Sequence, residues 1–158
     1  MKPKEILVFG ASGQIGRHLV RKLTKNNYKV LAVTRNIHQK GYILKTQANP
    51  GYLEMLELKS LNYEDVTNLF QNCEKVINLI GILFEKKNNE FNKIHEFFPH
   101  MLSEISKKNK IKQFIHISSL GIDEVKDSKY AISKQQGEKK VRENFENALS
   151  IEPEYATA

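Results

Sequence analysis

Short apolar runs alternate along the chain with segments whose apolar residues recur at helical spacing. Residues 6–9 (Ile-Leu-Val-Phe) and 30–33 (Val-Leu-Ala-Val) are continuous and apolar, which is typical of strands buried on both faces. Between them, apolar side chains at positions 15, 19, 20 and 23 fall on one stripe of a helix. The first part of the chain therefore predicts a strand, a helix and a second strand.

The same alternation continues to residue 151. Further strands are predicted over residues 52–58, 76–80, 114–117 and 148–151. Further helices are predicted over residues 62 to about 70, roughly 90–109, and 128 to about 145. Pro99 is expected to bend or interrupt the second of these helices. Residues 36–51, with Gly41 and an Asn-Pro-Gly turn as breakers, are predicted to be irregular.

Strands that alternate with helices predict a parallel sheet covered by helices on both faces, because parallel strands need crossover connections. This is the doubly wound α/β class. The length of 158 residues suits one domain. We expect that domain to comprise residues 1–153, with residues 154–158 as a short tail.

Composition narrows the classes of function. The chain has 25 Lys and Arg against 18 Asp and Glu, a formal charge of +7, which indicates weak attraction to anionic ligands or surfaces. Only four of the basic residues are arginines, so direct nucleic-acid binding through guanidinium groups is not expected. The five histidines and the single cysteine, Cys73, show no metal-ligand spacing, so no metal site is expected.

The sequence also bears on localisation. No apolar stretch approaches the ~20 residues of a transmembrane helix. Met-Lys-Pro-Lys precedes the first predicted strand directly and leaves no room for a secretory signal. A lone Cys73 forms no intrachain disulfide, which fits a reducing compartment. We therefore expect a cytoplasmic, bacterial protein.

A glycine-rich run, Gly10-Ala-Ser-Gly-Gln-Ile-Gly16, follows the first strand and opens the first helix. Gly10 permits a sharp turn, Gly13 lets a pyrophosphate approach the backbone, and Gly16 allows close packing of helix on strand. Phosphates would then face the amino end of the helix. The alternative is an ordinary tight turn, but the strand-turn-helix context favours a dinucleotide site. Its candidate residues are Gly10, Ser12, Gly13, Gln14, Ile15 and Gly16.

The second strand ends at Thr34-Arg35, where an NAD-selective protein usually places Asp or Glu to hold the ribose 2′-hydroxyl. A guanidinium binds a 2′-phosphate instead, so Arg35, with Thr34 and Arg17, predicts a preference for NADP(H). If Arg35 is simply a solvated arginine, NAD(H) remains the alternative.

A second group of candidate residues follows the fifth strand. Ser118 and Ser119 end that strand, and Tyr130 and Lys134 lie four residues apart on one face of the next predicted helix. An ammonium near a phenol favours proton transfer by the phenol, and a serine hydroxyl can hold a substrate carbonyl or hydroxyl against it. The alternative is a partly buried helical tyrosine beside a solvated lysine.

These motifs in this order resemble the short-chain dehydrogenase/reductase superfamily. The resemblance also rests on residues 78–81 (Asn-Leu-Ile-Gly) and 149–153 (Leu-Ser-Ile-Glu-Pro) and covers nearly the whole chain. Within the superfamily, residues 8–13, 78–85 and 114–118 resemble the atypical, extended group, which includes NAD-dependent epimerases and dehydratases. That group also contains the nucleotide-binding accessory subunit of respiratory complex I and its bacterial relatives.

The resemblance implies a Rossmann fold and a role for each candidate residue. The glycine run would line the pyrophosphate, Arg35 the 2′-phosphate, and Gly81 the middle of the cofactor. Tyr130 would be the acid/base, and Lys134 would bind the nicotinamide ribose and tune Tyr130, so both would also belong to the cofactor-binding residues. Ser119, in preference to Ser118, would orient substrate. The chain differs from the family in a short Ser119-to-Tyr130 interval of 11 residues and in having no Asp after the third strand. It also ends where the extended type continues into a substrate-binding lobe.

Three functions are consistent with these residues. One is an NADP-dependent reductase or an epimerase-like enzyme that transfers hydride. Another is a non-catalytic cofactor-binding module, which implies a membrane-associated respiratory complex as partner and a peripheral position at the inner membrane. The third is a shortened gene product with no independent activity.

Overall fold

The computed structural model describes residues 5–152, so the expected tail, 154–158, lies outside the described residues. The described residues divide into two compact units, with the boundary between Leu79 and Ile80. Within the described residues, no helix combines the length and the apolar character needed to cross a bilayer. The same part of the chain has no group of His, Cys, Asp and Glu side chains suited to a metal ion.

The first unit contains four parallel strands connected by helices. In chain order the elements are β1 (Glu5–Phe9), α1 (Gln14–Lys25), β2 (Val30–Thr34), α2 (Ile37–Lys45), β3 (Leu53–Glu57), α3 (Tyr63–Thr67), a 3-10 turn (Asn68–Phe70) and β4 (Cys73–Asn78). β1 pairs with β2 on one side and with β4 on the other, and β2 pairs with β3. β1 and β2 are almost wholly buried, as their continuous apolar sequences predict.

The expectation of an irregular stretch over residues 36–51 is wrong, because α2 occupies residues 37–45. Asn36 caps this helix by accepting a hydrogen bond from the Gln39 N–H at 3.1 Å. Gly41 is buried, and a Cβ there would lie 3.2 Å from Ile37 and 3.4 Å from Met55. Gly41 is therefore a packing residue on the inner face of α2 and not a breaker.

The second unit begins with a loop and an irregular helix. Its elements are a π-helical segment (Asn92–Phe97), α4 (Phe98–Lys108), β5 (Gln113–Ile117), a 3-10 turn (Ile122–Glu124), α5 (Lys129–Asn144) and β6 (Leu149–Ile151). β5 and β6 are parallel. The expected disturbance at Pro99 is present, since the chain changes from π to α geometry at Phe98 and proline occupies the first turn of α4.

The six strands have the order β3-β2-β1-β4-β5-β6. That order is the one found in dinucleotide-binding Rossmann folds, and it confirms the predicted doubly wound α/β class. Five strands lie where the sequence predicts them, whereas β4 begins at Cys73, three residues earlier than expected.

Candidate functional site

The glycine-rich turn of the first unit has the geometry that the sequence predicts. Gly10 has a φ of 75°, in the left-handed region where glycine is favoured, and its carbonyl accepts a hydrogen bond from the Gly13 N–H at 3.1 Å. A Cβ on Gly16 would overlap the carbonyl oxygens of Gly10 and Ala11. The turn therefore holds the start of α1 against the end of β1 more closely than any side chain at position 16 permits.

The amino end of α1 differs from those of α2, α3 and α5. α2, α3 and α5 are capped by the side chains of Asn36, Asn62 and Ser128, whereas α1 begins at Gly13 with no side-chain cap. The first-turn N–H groups of a helix have no partner within the helix, and the helix dipole makes them attract anions. No acidic residue lies in this turn, and Gly13, Gln14 and Ile15 are exposed. The turn thus fits a diphosphate.

Ser12 and Thr34 connect the glycine turn to the end of β2. Their hydroxyl oxygens lie 3.1 Å apart, and Thr34 is buried. Thr34 therefore anchors Ser12, while Arg35 is exposed immediately beyond it. Arg17, in the second turn of α1, is half-buried, and its Nε atom has no hydrogen-bond partner among the described residues.

In the second unit, Ser119 and Tyr130 form a direct hydrogen bond. The Ser119 Oγ lies 2.6 Å from the Tyr130 hydroxyl oxygen. Ser119 follows β5, and Tyr130 lies in the first turn of α5, which Ser128 caps by accepting from the Ala131 N–H at 3.3 Å. Ser118 is buried, and its N–H donates to the Ile151 carbonyl at 2.8 Å. The geometry therefore favours Ser119 over Ser118 as the partner of Tyr130.

Lys134 is buried on the same face of α5 as Tyr130. Its Nζ donates to the Ile117 carbonyl at 3.4 Å and lies 6.0 Å from the centroid of the Tyr130 ring. Burial lowers the pKa of Lys134 from 10.5 to about 8, and Glu138 opposes that shift only in part. The alternative interpretation of Lys134 as a solvated lysine is therefore wrong.

Gly81 lies beside the Lys134 ammonium with no side chain of its own to cover it. A Cβ on Gly81 would lie 3.4 Å from the Lys134 Nζ and 3.8 Å from the His95 Nε2. A ligand atom that approached Lys134 on this side would meet backbone and no side chain of residue 81. The structure thus brings Gly81, Ser119, Tyr130 and Lys134 into one region of the second unit.

His95, which the sequence did not single out, joins this cluster through two hydrogen bonds. Its Nε2 accepts from the Ile82 N–H at 3.1 Å, and its Nδ1 lies 2.9 Å from the Ser133 Oγ. The Ser133 hydroxyl donates to the Tyr130 carbonyl at 2.8 Å, so it accepts from the His95 Nδ1–H. These contacts fix His95 as the neutral Nδ1–H tautomer and tie its ring to the backbone of Tyr130.

The His95 ring also packs on two aromatic residues. It stacks on Phe91 at a centroid distance of 5.4 Å and meets Tyr130 edge-on at 5.3 Å. Burial, together with the nearby Lys134 charge, lowers the pKa of His95 to about 4. The signal in the sequence is a histidine on the apolar stripe of a helix, three residues before Phe98, where a polar side chain needs buried partners.

The family of the chain follows from a comparison with known proteins. A model of the NAD(P)H-binding family matches residues 10–151, which include both the glycine turn and the Ser119, Tyr130 and Lys134 group. The chain belongs to the NAD(P)H-binding family.

One curated relative of this NAD(P)H-binding chain is NADH dehydrogenase [ubiquinone] 1 alpha subcomplex subunit 9, mitochondrial, of Mus musculus. The two are 32% identical over 146 residues, which cover 92% of this chain and 39% of the relative. The chain thus spans about two fifths of that protein. The match confirms the resemblance to the accessory subunit of respiratory complex I.

Solved structures show the same fold. A putative NAD-dependent epimerase/dehydratase from Bacillus halodurans superimposes with a TM-score of 0.80 at 21% identity, covering 95% of this chain and 70% of that one. The UDP-glucuronic acid 4-epimerase from Bacillus cereus, in complex with NAD, gives a TM-score of 0.76 at 23% identity, covering 94% and 55%. These structures confirm the Rossmann-like fold of the NAD(P)H-binding chain.

Proposed function

We propose that the chain is an NADP(H)-binding protein of the short-chain dehydrogenase/reductase type, and that Ser119, Tyr130 and Lys134 carry out the proton transfer of an oxidoreductase or epimerase. The observation that carries this proposal is the 2.6 Å hydrogen bond between the Ser119 and Tyr130 hydroxyl groups beside a buried lysine. The binding domain would comprise residues 1–153, with residues 154–158 as a tail.

Each residue of this group has a distinct chemical task. Tyr130 would give a proton to a substrate carbonyl or take one from an alcohol, and Ser119 would hold the same oxygen by hydrogen bonding. Lys134 would stabilise negative charge on the Tyr130 oxygen and donate to the nicotinamide ribose. A bound nicotinamide supplies or accepts the hydride. Burial of Lys134 strengthens its electrostatic influence, because less water screens it.

For the cofactor, we propose that the first-turn amides of α1 bind the pyrophosphate and that Arg35 binds the 2′-phosphate. Arg35 is exposed at the end of β2, where a carboxylate would select NAD. The nearest acidic neighbour in the sheet is Glu57, which pairs with Thr34 in the β2-β3 register. Glu57 already accepts from the Ile37 N–H at 3.2 Å and lies 3.5 Å from the Lys59 ammonium. These two partners reduce its repulsion of a phosphate.

The second candidate function is a non-catalytic module in which NADP(H) stabilises the folded state. The similarity to an NADH dehydrogenase subunit favours it. The partner would then be a respiratory complex, and the protein would lie in the bacterial cytoplasm at the inner membrane. A ligand that binds only the folded state raises the melting temperature without turnover.

The cofactor assignment is tested by titrating the protein with NADPH and NADH, with binding followed by calorimetry and by melting temperature. We expect Arg35→Glu to weaken NADPH binding about 100-fold and to leave NADH binding within about threefold, since a charge-assisted phosphate contact is lost. Arg21→Glu, an equal charge change on the exposed side of α1, is the matched control. Equal losses for both coenzymes would remove the 2′-phosphate assignment.

Catalysis is tested by NADPH oxidation with a panel of carbonyl compounds. We expect Tyr130→Phe to abolish turnover while NADPH affinity remains, because the phenol acts on substrate. Tyr42→Phe, at an exposed position of α2, controls for the loss of a hydroxyl. A cofactor-dependent rise in melting temperature with no turnover by the unmodified chain would instead support the structural module.

A further inference from the structure

The positive charge of the protein is concentrated in one part of the first unit. Residues 6–53 contain eight Lys or Arg and no Asp or Glu, whereas the rest of the chain contains 17 basic and 18 acidic residues. The whole excess of +7 therefore arises from this segment, which includes β1 from Ile6 onward, α1, β2 and α2. A surface whose charged side chains served only solubility would carry positive and negative residues interspersed.

The helices of this segment present most of their basic side chains to solvent. α1 buries Gly16, Val20 and Thr24, and the opposite side of the helix carries the exposed residues Arg21, Lys22 and Lys25. α2 contacts α1 and adds exposed Lys40 and Lys45, together with Tyr42, whose side chain is 65% exposed. We call these six residues the basic face: Arg21, Lys22, Lys25, Lys40, Tyr42 and Lys45.

No cation of the basic face forms a salt bridge with any residue that the structure describes. Adjacent cations without counter-charges repel one another, which costs stability in the free protein. Binding of an anionic partner would relieve that repulsion.

The proposed cofactor site does not account for most of these charges. β1 and β2 are parallel, so α1 runs back from the glycine turn toward the edge of the sheet where β2 begins. α1 has 12 residues and is about 18 Å long. Lys22 and Lys25 occupy its last turn, and Lys45 occupies the last turn of α2. Three lysines thus lie at the far end of their helices from the phosphate-binding turn.

We propose that the basic face docks on the surface of an anionic phospholipid bilayer. Lysine predominates on this face, and lysine clusters bind anionic lipid as mobile point charges, whereas nucleic-acid readout favours the arginine fork. The exposed Tyr42 among the lysines is a residue type that prefers the membrane interface. A protein partner would need an apolar centre, and Tyr42 is the only large apolar side chain on this face.

The test is sedimentation of the full chain with vesicles of phosphatidylcholine alone and of phosphatidylcholine mixed with phosphatidylglycerol. We expect binding to the mixed vesicles only, and its loss when salt is raised from 0.1 M to 1 M, because the Debye length falls from about 10 Å to about 3 Å. The triple variant Lys22→Gln, Lys25→Gln, Lys45→Gln should lower the partition coefficient about 100-fold, roughly fivefold per lysine.

A matched control removes three exposed lysines of the second unit through Lys93→Gln, Lys107→Gln and Lys126→Gln. It has the same net charge as the first variant and should bind the mixed vesicles within about threefold of the unmodified chain. An equal loss in both variants would show attraction by net charge alone and overturn the proposal. Tighter binding to polyglutamate or duplex DNA than to the vesicles would also overturn it, in favour of a protein or nucleic-acid partner.

Neither variant should have a lower melting temperature than the unmodified chain, and both should keep any rise caused by NADPH. That readout separates this proposal from the cofactor assignment, because either can fail while the other holds. Loss of vesicle binding together with a lower melting temperature would be checked with Lys22→Arg, Lys25→Arg, Lys45→Arg, which retains the charge. If the arginine variant failed to bind the mixed vesicles, binding through charge alone would be contradicted.

Discussion

Gly137 of α5 lies directly against the main-chain carbonyl of His95, so close that a Cβ at position 137 would overlap the carbonyl oxygen. The atom in the way belongs to the backbone of the π-helical segment and cannot rotate aside. The contact fixes the distance between α5 and the segment that carries His95, and with it the position of the His95 ring against Tyr130.

We expect Gly137→Ala to destabilise the protein by about 3 kcal/mol, since overpacking against backbone forces the two segments apart. Urea unfolding measures the change in the free energy of unfolding. Gly41→Ala is the control, because its Cβ would meet only side-chain atoms, an Ile37 methyl group at 3.2 Å and the end of Met55 at 3.4 Å, and the helix gains propensity. If both variants unfold at the same urea concentration, close packing at Gly137 does not hold the segments together.

Replacing Lys134 should stabilise the free protein. The pKa of Lys134 falls from 10.5 to about 8 on folding, so below pH 8 the folded state carries a buried charge that is better solvated after unfolding. We expect Lys134→Met to raise the free energy of unfolding at pH 7 by about 2 kcal/mol, after loss of the hydrogen bond to Ile117 is deducted. The same substitution should remove any activity.

The increase in the free energy of unfolding caused by Lys134→Met should shrink as the pH rises from 8 toward 10.5. In that range Lys134 of the unmodified folded protein loses its proton, so the folded state no longer buries a charge. Urea midpoints across that range measure this dependence. Lys129→Met, at an exposed position at the start of α5, should show neither the gain nor its pH dependence. A gain that stays constant with pH would mean that the benefit comes from apolar packing.

Acidification should destabilise the protein before its carboxylates titrate. The pKa of His95 is lowered from 6.5 to about 4, and that of His116, also by burial, to about 3. Between pH 6.5 and about 4 the unfolded chain therefore binds more protons than the folded one, and stability falls as pH falls, by up to about 1.4 kcal/mol per pH unit for each histidine. His95→Gln should remove about half of that slope.

The measurement for His95→Gln is the urea midpoint at steps through the same pH range. His18→Gln, at an exposed position of α1, should leave the slope unchanged. A direct check is ¹⁵N NMR of the ring, where we expect the Nδ1–H tautomer to persist to about pH 5. An Nε2–H signal would contradict the hydrogen bond from Ile82.

Gly81→Ala should weaken cofactor binding without changing the stability of the fold. The added methyl group would make only an ordinary contact with the Lys134 Nζ at 3.4 Å, so we expect the free energy of unfolding to change by less than about 0.5 kcal/mol. On the proposed function, the methyl group would block the approach to the ammonium and weaken NADPH binding about tenfold. In a Lys134→Met background the effect should disappear, which a double-mutant cycle measures.

The sequence predicted most of the fold because its parallel strands are continuous apolar runs and its helices carry clear stripes. The prediction is wrong at residues 36–51 because glycine usually interrupts a helix, whereas Gly41 packs on the buried side of α2. Ser119 and Tyr130 could be grouped in advance because both lie shortly after β5, and the preference for Ser119 over Ser118 came from the family resemblance. His95 could not, because its role depends on contacts with Ile82 and Ser133, which lie 13 and 38 residues away.

The π-helical segment Asn92–Phe97 holds one residue more per turn than an α-helix would. If the segment kept all its residues but were wound as an α-helix, its first residues would be rotated by about 100° relative to α4. His95 would then leave Tyr130 without any change of amino-acid type. In this part of the chain, the winding of the backbone is therefore as much a determinant of the chemistry as the identity of the residues.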